Sequence, residues 1–353
     1  MSAPKATKKI GVGVLGATGV VGQQLVAMLH GHPWFRLVWV AASERSVGKR
    51  YGELPSRHTQ PLSEEAERLI VNSLTAGNAP KILFSALDAS VAGETEAALA
   101  AAGHIVISNA RNHRMDPWVP LLIPEVNAGH LSALQLQKQQ KGWSGSIVTN
   151  PNCSTVFLTM ALAALREFTP RKVIVTTMQA LSGAGHPGVA SLDALGNVIP
   201  FIAGEEEKLE NETRKILGRF TGKEFAPADI QISAQTTRVP VVNGHTEAVS
   251  VELRESATRK DIIRSFEEFA GRPQQLKLPS APQRPVVHFD SADRPQPRLD
   301  VDRFSGMAVQ VGRLRECPVL GHKFVLLGHN LIRGAAGAAL LNAELMHTKG
   351  LLN

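Results

Sequence analysis

Lys9-Ile10-Gly11-Val12-Gly13-Val14-Leu15 is a short β-branched run that breaks into Gly16-Ala17-Thr18-Gly19-Val20-Val21-Gly22, after which apolar residues recur at helical spacing as far as His30. Strand, glycine turn and helix in that order turn a glycine count into a phosphate-binding expectation. Glycine permits the tight turn and close backbone approach, and the helix start offers free N–H groups and a positive dipole end to a pyrophosphate. The spacing is GxxGxxG; Gly11, Gly13 and Gly16 also match GxGxxG, but the first two fall inside the strand. The candidate dinucleotide contacts are therefore Gly16, Thr18, Gly19, Val20, Val21 and Gly22. The next strand, Arg36 to Ala42, runs into Ser43-Glu44-Arg45-Ser46. Hydroxyls and a guanidinium there suit a 2′-phosphate, so Ser43, Arg45 and Ser46 point to NADP, whereas Glu44 is the residue type that holds the free ribose of NAD.

Outward from this unit the alternation continues through Lys81 to Leu87, a small-residue helix from Ser90 to Ala102, and Ile105 to Ser108. That is the pattern of a parallel, Rossmann-like sheet with crossover helices. After Asn150 the register changes. Ser154 to Phe168 reads as a helix, Lys172 to Gln179 as a strand, and Ile230 to Val242, Thr246 to Leu253 and Met307 to Arg313 as longer strands of an α+β unit with a mixed sheet. The Pro-rich stretch Pro273 to Pro297 reads as a surface loop. Gly334 to His347, built of alanine and leucine, must pack on something. The expected organisation is a dinucleotide-binding domain over 1–150, a catalytic and oligomerisation domain over 151–328, and a C-terminal helix in 329–353 that returns to the first domain.

A chain of 353 residues with 43% apolar content can bury two cores. The net charge of +7 is spread along the sequence rather than gathered into a basic arm, which suits small anions such as phosphates and carboxylates and argues against nucleic acid. Cys153 and Cys317 cannot form a disulfide framework and stand in no zinc-binding spacing, so a reducing compartment and no metal are expected. Met1 to Lys9 lacks the layout of a secretory signal, and no apolar run has the length of a membrane span. A cytoplasmic enzyme is the expectation.

Asn150-Pro151-Asn152-Cys153-Ser154-Thr155 opens an apolar helix. A thiol at a helix N-terminus is expected to have a lowered pKa, and free N–H groups beside it can hold an oxyanion, so Cys153 is the candidate nucleophile. A nucleophilic thiol needs a base. Of the twelve histidines, His245 lies just past a glycine between two strand-like runs, His186 follows a glycine-rich turn, and His329 is a third choice. Spacing alone leaves the three open.

Gly16 to Gly22, Ser108-Asn109-Ala110-Arg111-Asn112-His113-Arg114, Pro124-Glu125-Val126-Asn127, Asn150 to Cys153, Gln179-Ala180-Leu181-Ser182-Gly183-Ala184-Gly185, Gly204-Glu205-Glu206-Glu207-Lys208, Arg238 to His245, Asp293 to Arg298, and Asn330-Leu331-Ile332-Arg333-Gly334-Ala335-Ala336-Gly337 together resemble the aspartate-β-semialdehyde dehydrogenases of archaeal and fungal type. The resemblance runs from the glycine turn to the last helix. It implies Cys153 as nucleophile, His245 as acid/base and Gln179 as the amide that orients the acyl intermediate. It implies Arg238 on the substrate α-carboxylate, Glu205 on its ammonium, and Arg114 and Lys208 on phosphate. Ser182, Gly183 and Asn330 fall where the family meets the nicotinamide half of the cofactor. The implied reaction is NADP-dependent reductive dephosphorylation of L-aspartyl-4-phosphate through a cysteine thioester, feeding lysine, methionine and threonine synthesis, in a homodimer or homotetramer.

Three alternatives stand beside this. An acyl-coenzyme A reductase of the malonyl type would use the same scaffold and Cys153, but gives Glu205 no ammonium to meet. A non-catalytic dinucleotide-binding protein would not need both nucleophile and base. A thiol hydrolase has no use for the glycine turn.

Overall fold

The computed structural model describes residues 9–56, 62–75 and 77–352; the polar start before Lys9 lies outside them. Two six-stranded sheets organise the chain. The first is built from β1 (Ile10–Leu15), β2 (Phe35–Ala41), β3 (Val71–Asn72), β4 (Ile82–Ser85), β5 (Ile105–Ser108) and β6 (Ser146–Thr149) in the order 3-2-1-4-5-6. Every pair in it is parallel. This is the Rossmann order, which opens a crevice at the carboxyl ends of the strands. The helix Val20–Leu29 follows β1 as expected, with His30 as its cap.

The glycines divide the work of that turn. Gly16 has φ +70°, and a Cβ there would lie 2.5 Å from the Ala86 carbonyl oxygen. A Cβ on Gly22 would lie 2.1 Å from the Gly16 oxygen, so its absence lets helix and strand close on each other. Gly19 instead faces open space, with only the Gly16 oxygen within reach at 3.4 Å.

The second sheet is mixed, in the order β10-β7-β11-β14-β13-β12. Its strands are β7 (Pro170–Gln179), β10 (Gln231–Arg238), β11 (His245–Leu253), β12 (Val286–Phe289), β13 (Val309–Cys317) and β14 (Gly321–Gly328); β8 (Arg219–Phe220) and β9 (Phe225–Ala226) form a separate small pair. The Pro-rich stretch read as a surface loop is thus corrected: it contains β12, which pairs in parallel with β13 at the sheet edge. An edge strand needs only one partner, so four residues between prolines suffice. β14 went unrecognised, and β13 runs four residues past the predicted Arg313.

The apolar helix Cys153–Ala164 buries Val156, Phe157, Met160 and Leu162 in the core under the second sheet. The final helix, Gly337–Thr348, returns to the first sheet and contributes Ala339, Leu340, Leu341, Leu345 and Met346 to its core. Arg333, fully buried just ahead of it, donates to Glu125 Oε2 at 2.7 Å and ties the returning segment down. Among the described residues no helix is long and apolar enough to cross a membrane.

Candidate active site

Strand directions bring the site together. β7 ends on Gln179, β10 runs parallel to it and ends on Arg238 in register with Gln179, and β11 runs antiparallel and starts on His245. All three residues therefore stand at one end of the second sheet. The helix of Cys153 starts where β6 of the first sheet leaves off, so its N-terminus points into the same space. Between them lies a cleft of about 1080 Å³ that runs from the glycine turn to Cys153 and Arg238.

His245 Nε2 lies 3.2 Å from Cys153 Sγ. Of the three candidate histidines, geometry selects this one: His186 is exposed at the rim of the cleft, and His329 leans toward Asp302 at 3.6 Å. The Ala180 N–H donates to His245 Nδ1 at 3.0 Å. With Nδ1 accepting, the neutral ring carries its proton on Nε2, directed at sulfur. Burial, and then the charge of Arg238, push the His245 pKa down to about 3, so the ring is neutral at working pH.

The lowered thiol pKa expected from the helix start is corrected by the structure. Burial, followed by the charge of Glu205, pushes the Cys153 thiol up to about 12, against the opposing pull of Arg114, the Ser154 N–H and Arg238. Desolvation of the anion outweighs the helix end. The oxyanion expectation is narrowed as well. The Asn152 side chain caps the helix and takes the N–H groups of Ser154 (3.0 Å) and Thr155 (3.2 Å), so those two are already engaged.

Glu205 is buried and central. Its Oε1 accepts from Asn152 Nδ2 at 2.6 Å and Gln179 Nε2 at 3.2 Å, and its Oε2 meets Lys208 Nζ at 2.9 Å. Lys208 and these hydrogen bonds hold its carboxyl below the usual range despite burial. Neighbouring Glu206 turns away to the Thr236 N–H. Gln179, expected to orient the acyl intermediate, does not line the cleft; it is buried, with its amide bonded to Glu205 and Thr177. Arg238 lines the cleft and donates to the Ala180 oxygen at 2.7 Å. Arg114 also lines it, with Nη1 on Glu212 and Nη2 on the Asn109 oxygen.

Because Glu205 opposes ionisation of the thiol, Glu205→Gln is expected to lower the Cys153 pKa. The check is the pH dependence of iodoacetamide alkylation, which should shift to lower pH. An unchanged or higher midpoint would contradict this electrostatic account.

Along the cofactor arm the cleft is lined by Gly16, Thr18, Gly19, Val20, Val21, Ser43, Ser182, Gly183 and Asn330. Asn330 braces the arm by donating to Ser182 Oγ at 2.8 Å and accepting from the Gly244 N–H at 2.9 Å. Gly22 serves packing rather than the wall. Arg45 and Ser46 do not line the cleft either: the chain turns after Ser43, with the Ser46 N–H bonded back to the Ser43 oxygen, and Arg45 is exposed beside it. Glu44 does line it, and so do Ser73 and Thr75, which the sequence reading missed. Two hydroxyls just after the short β3 carry too weak a pattern to be singled out.

A neutral imidazole against a thiol, opening on a dinucleotide cleft and ringed by two arginines and a lysine–glutamate pair, is the equipment of a dehydrogenase that works through a covalent thioester. Comparison with known proteins agrees. The family model described as "Semialdehyde dehydrogenase, NAD binding domain" matches residues 11–134, and that described as "Semialdehyde dehydrogenase, dimerisation domain" matches residues 162–333. The aspartate-semialdehyde dehydrogenase of Archaeoglobus fulgidus is 48% identical over 95% of this chain and 97% of its own, and that of Cryptococcus neoformans 47% over 98% of each. A crystal structure of the Candida albicans aspartate semialdehyde dehydrogenase with NADP superposes with a TM-score of 0.90 at 40% identity, covering 98% of this chain and all of that one. The chain belongs to the aspartate-semialdehyde dehydrogenase family. The acyl-coenzyme A alternative has no support among these relatives.

Proposed function

We propose that the protein reduces L-aspartyl-4-phosphate to L-aspartate 4-semialdehyde with NADPH, releasing phosphate, as a step toward lysine, methionine and threonine. The observation that carries this reading is the Cys153–His245 contact at the end of a cleft that also presents Arg114, Arg238, Glu205 and Lys208. Arg238 offers its guanidinium to the substrate α-carboxylate, and Glu205 takes the ammonium. That pairing offsets the negative charge which holds the Cys153 proton, so the substrate helps to ionise the thiol that attacks it.

The Cys153 sulfur attacks the acyl carbon and its proton leaves with the phosphate, the Cys153 N–H holds the oxyanion, and phosphate departs beside Arg114 and Lys208 with both electrons of the broken C–O bond. A thioester remains on Cys153. NADPH, when bound, supplies the hydride that reduces the thioester carbon. The resulting alkoxide reforms a carbonyl as the C–S bond breaks with its electrons on sulfur; the His245 Nε2–H donates a hydrogen bond to that sulfur, so that semialdehyde and a thiolate are left, and the thiolate takes a proton from water. Gln179, anchored to Glu205, keeps that carboxylate aimed at the ammonium. In the oxidative direction phosphate attacks the thioester.

The relative solved with NADP supports NADP as the cofactor; in this chain the unobstructed Gly19 leaves room for a pyrophosphate, and Ser43, Ser73 and Thr75 offer hydroxyls at the adenosine end beside Glu44. This reading assigns cofactor binding to residues 1–150, catalysis and association to 151–328, and closure over the cofactor to 329–353. The enzyme is read as a cytoplasmic homodimer or homotetramer. Leu192, Leu195, Val198 and Phe201, exposed on the outside of a loop whose ends line the cleft, support association, as does the name of the matching dimerisation model. A monomer by sedimentation at assay concentration would contradict the oligomer.

The experiment for the reaction is NADP reduction with L-aspartate semialdehyde, with and without phosphate. Turnover is expected only with phosphate. Equal rates in its absence, or activity only with malonyl-coenzyme A, would overturn the assignment.

A further inference from the structure

The helix Glu205–Leu217 carries charged residues at Glu205, Lys208, Glu212 and Lys215, spacings of three, four and three that place them on one face. A charged stripe of this kind ordinarily faces water. Here Glu205, Glu212 and Lys215 are buried, and the stripe faces the loops that carry the phosphate cation and the nucleophile. Glu205 and Lys208 line the cleft, while Glu212 is 2% exposed and does not.

Glu212 divides its two oxygens between groups far apart in the chain. Oε1 accepts from Arg114 Nη1 at 3.0 Å; Oε2 accepts from the backbone N–H of Asn152, the residue before the nucleophile, at 2.6 Å. Asn152 is thereby held at its backbone by Glu212 and at its side chain by Glu205. Arg114 is held at its second terminal nitrogen by the Asn109 oxygen at 2.7 Å. One turn further along the stripe, Lys215 Nζ donates to the carbonyl oxygens of Arg114 (2.7 Å), Asp116 (2.8 Å) and Val119 (3.0 Å), fixing the loop from which Arg114 projects.

We propose that Glu212 is a positioning residue that joins the phosphate site to the nucleophile, one carboxylate holding the Arg114 guanidinium and the Cys153 helix start in fixed register. The inference rests on the reading of Arg114 as a phosphate ligand. Phosphate attack on the thioester needs its oxygen held over the acyl carbon at near-attack distance, and Arg114 and Cys153 belong to separate segments with no covalent reason to keep that distance. The chemistry requires a carboxylate because both partners are donors. An amide turned either way presents its NH₂ to one of them, Arg114 or the Asn152 N–H.

Glu212→Gln is therefore expected to raise the KM for phosphate at least ten-fold while the KM for the semialdehyde stays within about two-fold of the unsubstituted enzyme. Its effect on phosphate KM should be non-additive with that of Arg114→Lys, because both substitutions break the same link. If Glu212→Gln does not fold, Glu212→Asp, one methylene too short to span both partners, reads the same quantity. An unchanged phosphate KM in an enzyme that still requires phosphate overturns this inference alone, and so does an equal rise in both KM values. Phosphate-independent turnover of the unsubstituted enzyme overturns the proposed reaction and this inference with it.

Discussion

Cys153→Ala is expected to lower kcat by roughly 10⁴-fold or more while NADP binding stays within about two-fold of the unsubstituted enzyme. In the proposed reaction the sulfur captures the acyl group, and the neutral His245 stands 3.2 Å from it. The glycine turn lies at the other arm of the cleft and does not depend on the thiol. Steady-state kinetics and a cofactor titration on the same preparation check both halves. Turnover retained at more than about a hundredth of the original rate would place the chemistry on another group.

Gly334→Ala should show the next largest effect, although residue 334 carries no functional group. A Cβ at that position would lie 2.6 Å from Cys153 Cβ and 3.1 Å from Cys153 Cα. Neither atom is the far end of a flexible chain, so the nucleophile itself must shift. The helix behind it is packed into the second core and resists that shift. Misplacing a reacting atom by about 1 Å costs on the order of 10²-fold in rate, and kcat should fall by that much with little change in the KM for NADP. Gly129→Ala is the matched control, since nothing lies within 4 Å of a Cβ there. Equal, mild effects of the two substitutions would show that the Gly334 contact does not set the position of Cys153.

These cases show which parts of the molecule local sequence could reveal. The β1–turn–helix unit was readable because each glycine answers to a neighbour only a few residues or one strand away, such as Gly22 against Gly16. The cap on the Cys153 helix was readable for the same reason, since Asn152 and the N–H groups it takes are consecutive. β12 was hidden by its flanking prolines. β14 was readable in principle, since Pro318 and Gly321 bracket the turn before it, but the apolar Val319 and Leu320 between them blur the boundary with β13.

In the site, the choice among His245, His186 and His329 depends on which strand runs antiparallel beside Gln179, a pairing across about seventy residues of chain. The thiol was misjudged because a helix start is visible in sequence and burial is not. Glu212 and Lys215 were overlooked inside a helix whose composition looked solvated. Their spacing with Glu205 and Lys208 was the available signal, although only the fold shows that this face is covered.

In the proposed reaction the acyl group passes through sulfur at Cys153. Mixing the enzyme with L-aspartyl-4-phosphate in the absence of NADPH and digesting it at once under acid should give a Cys153 peptide heavier by one aspartyl group, with the addition removed by hydroxylamine. An unmodified Cys153 peptide under conditions where phosphate is released, or the group found on Cys317 instead, would contradict it.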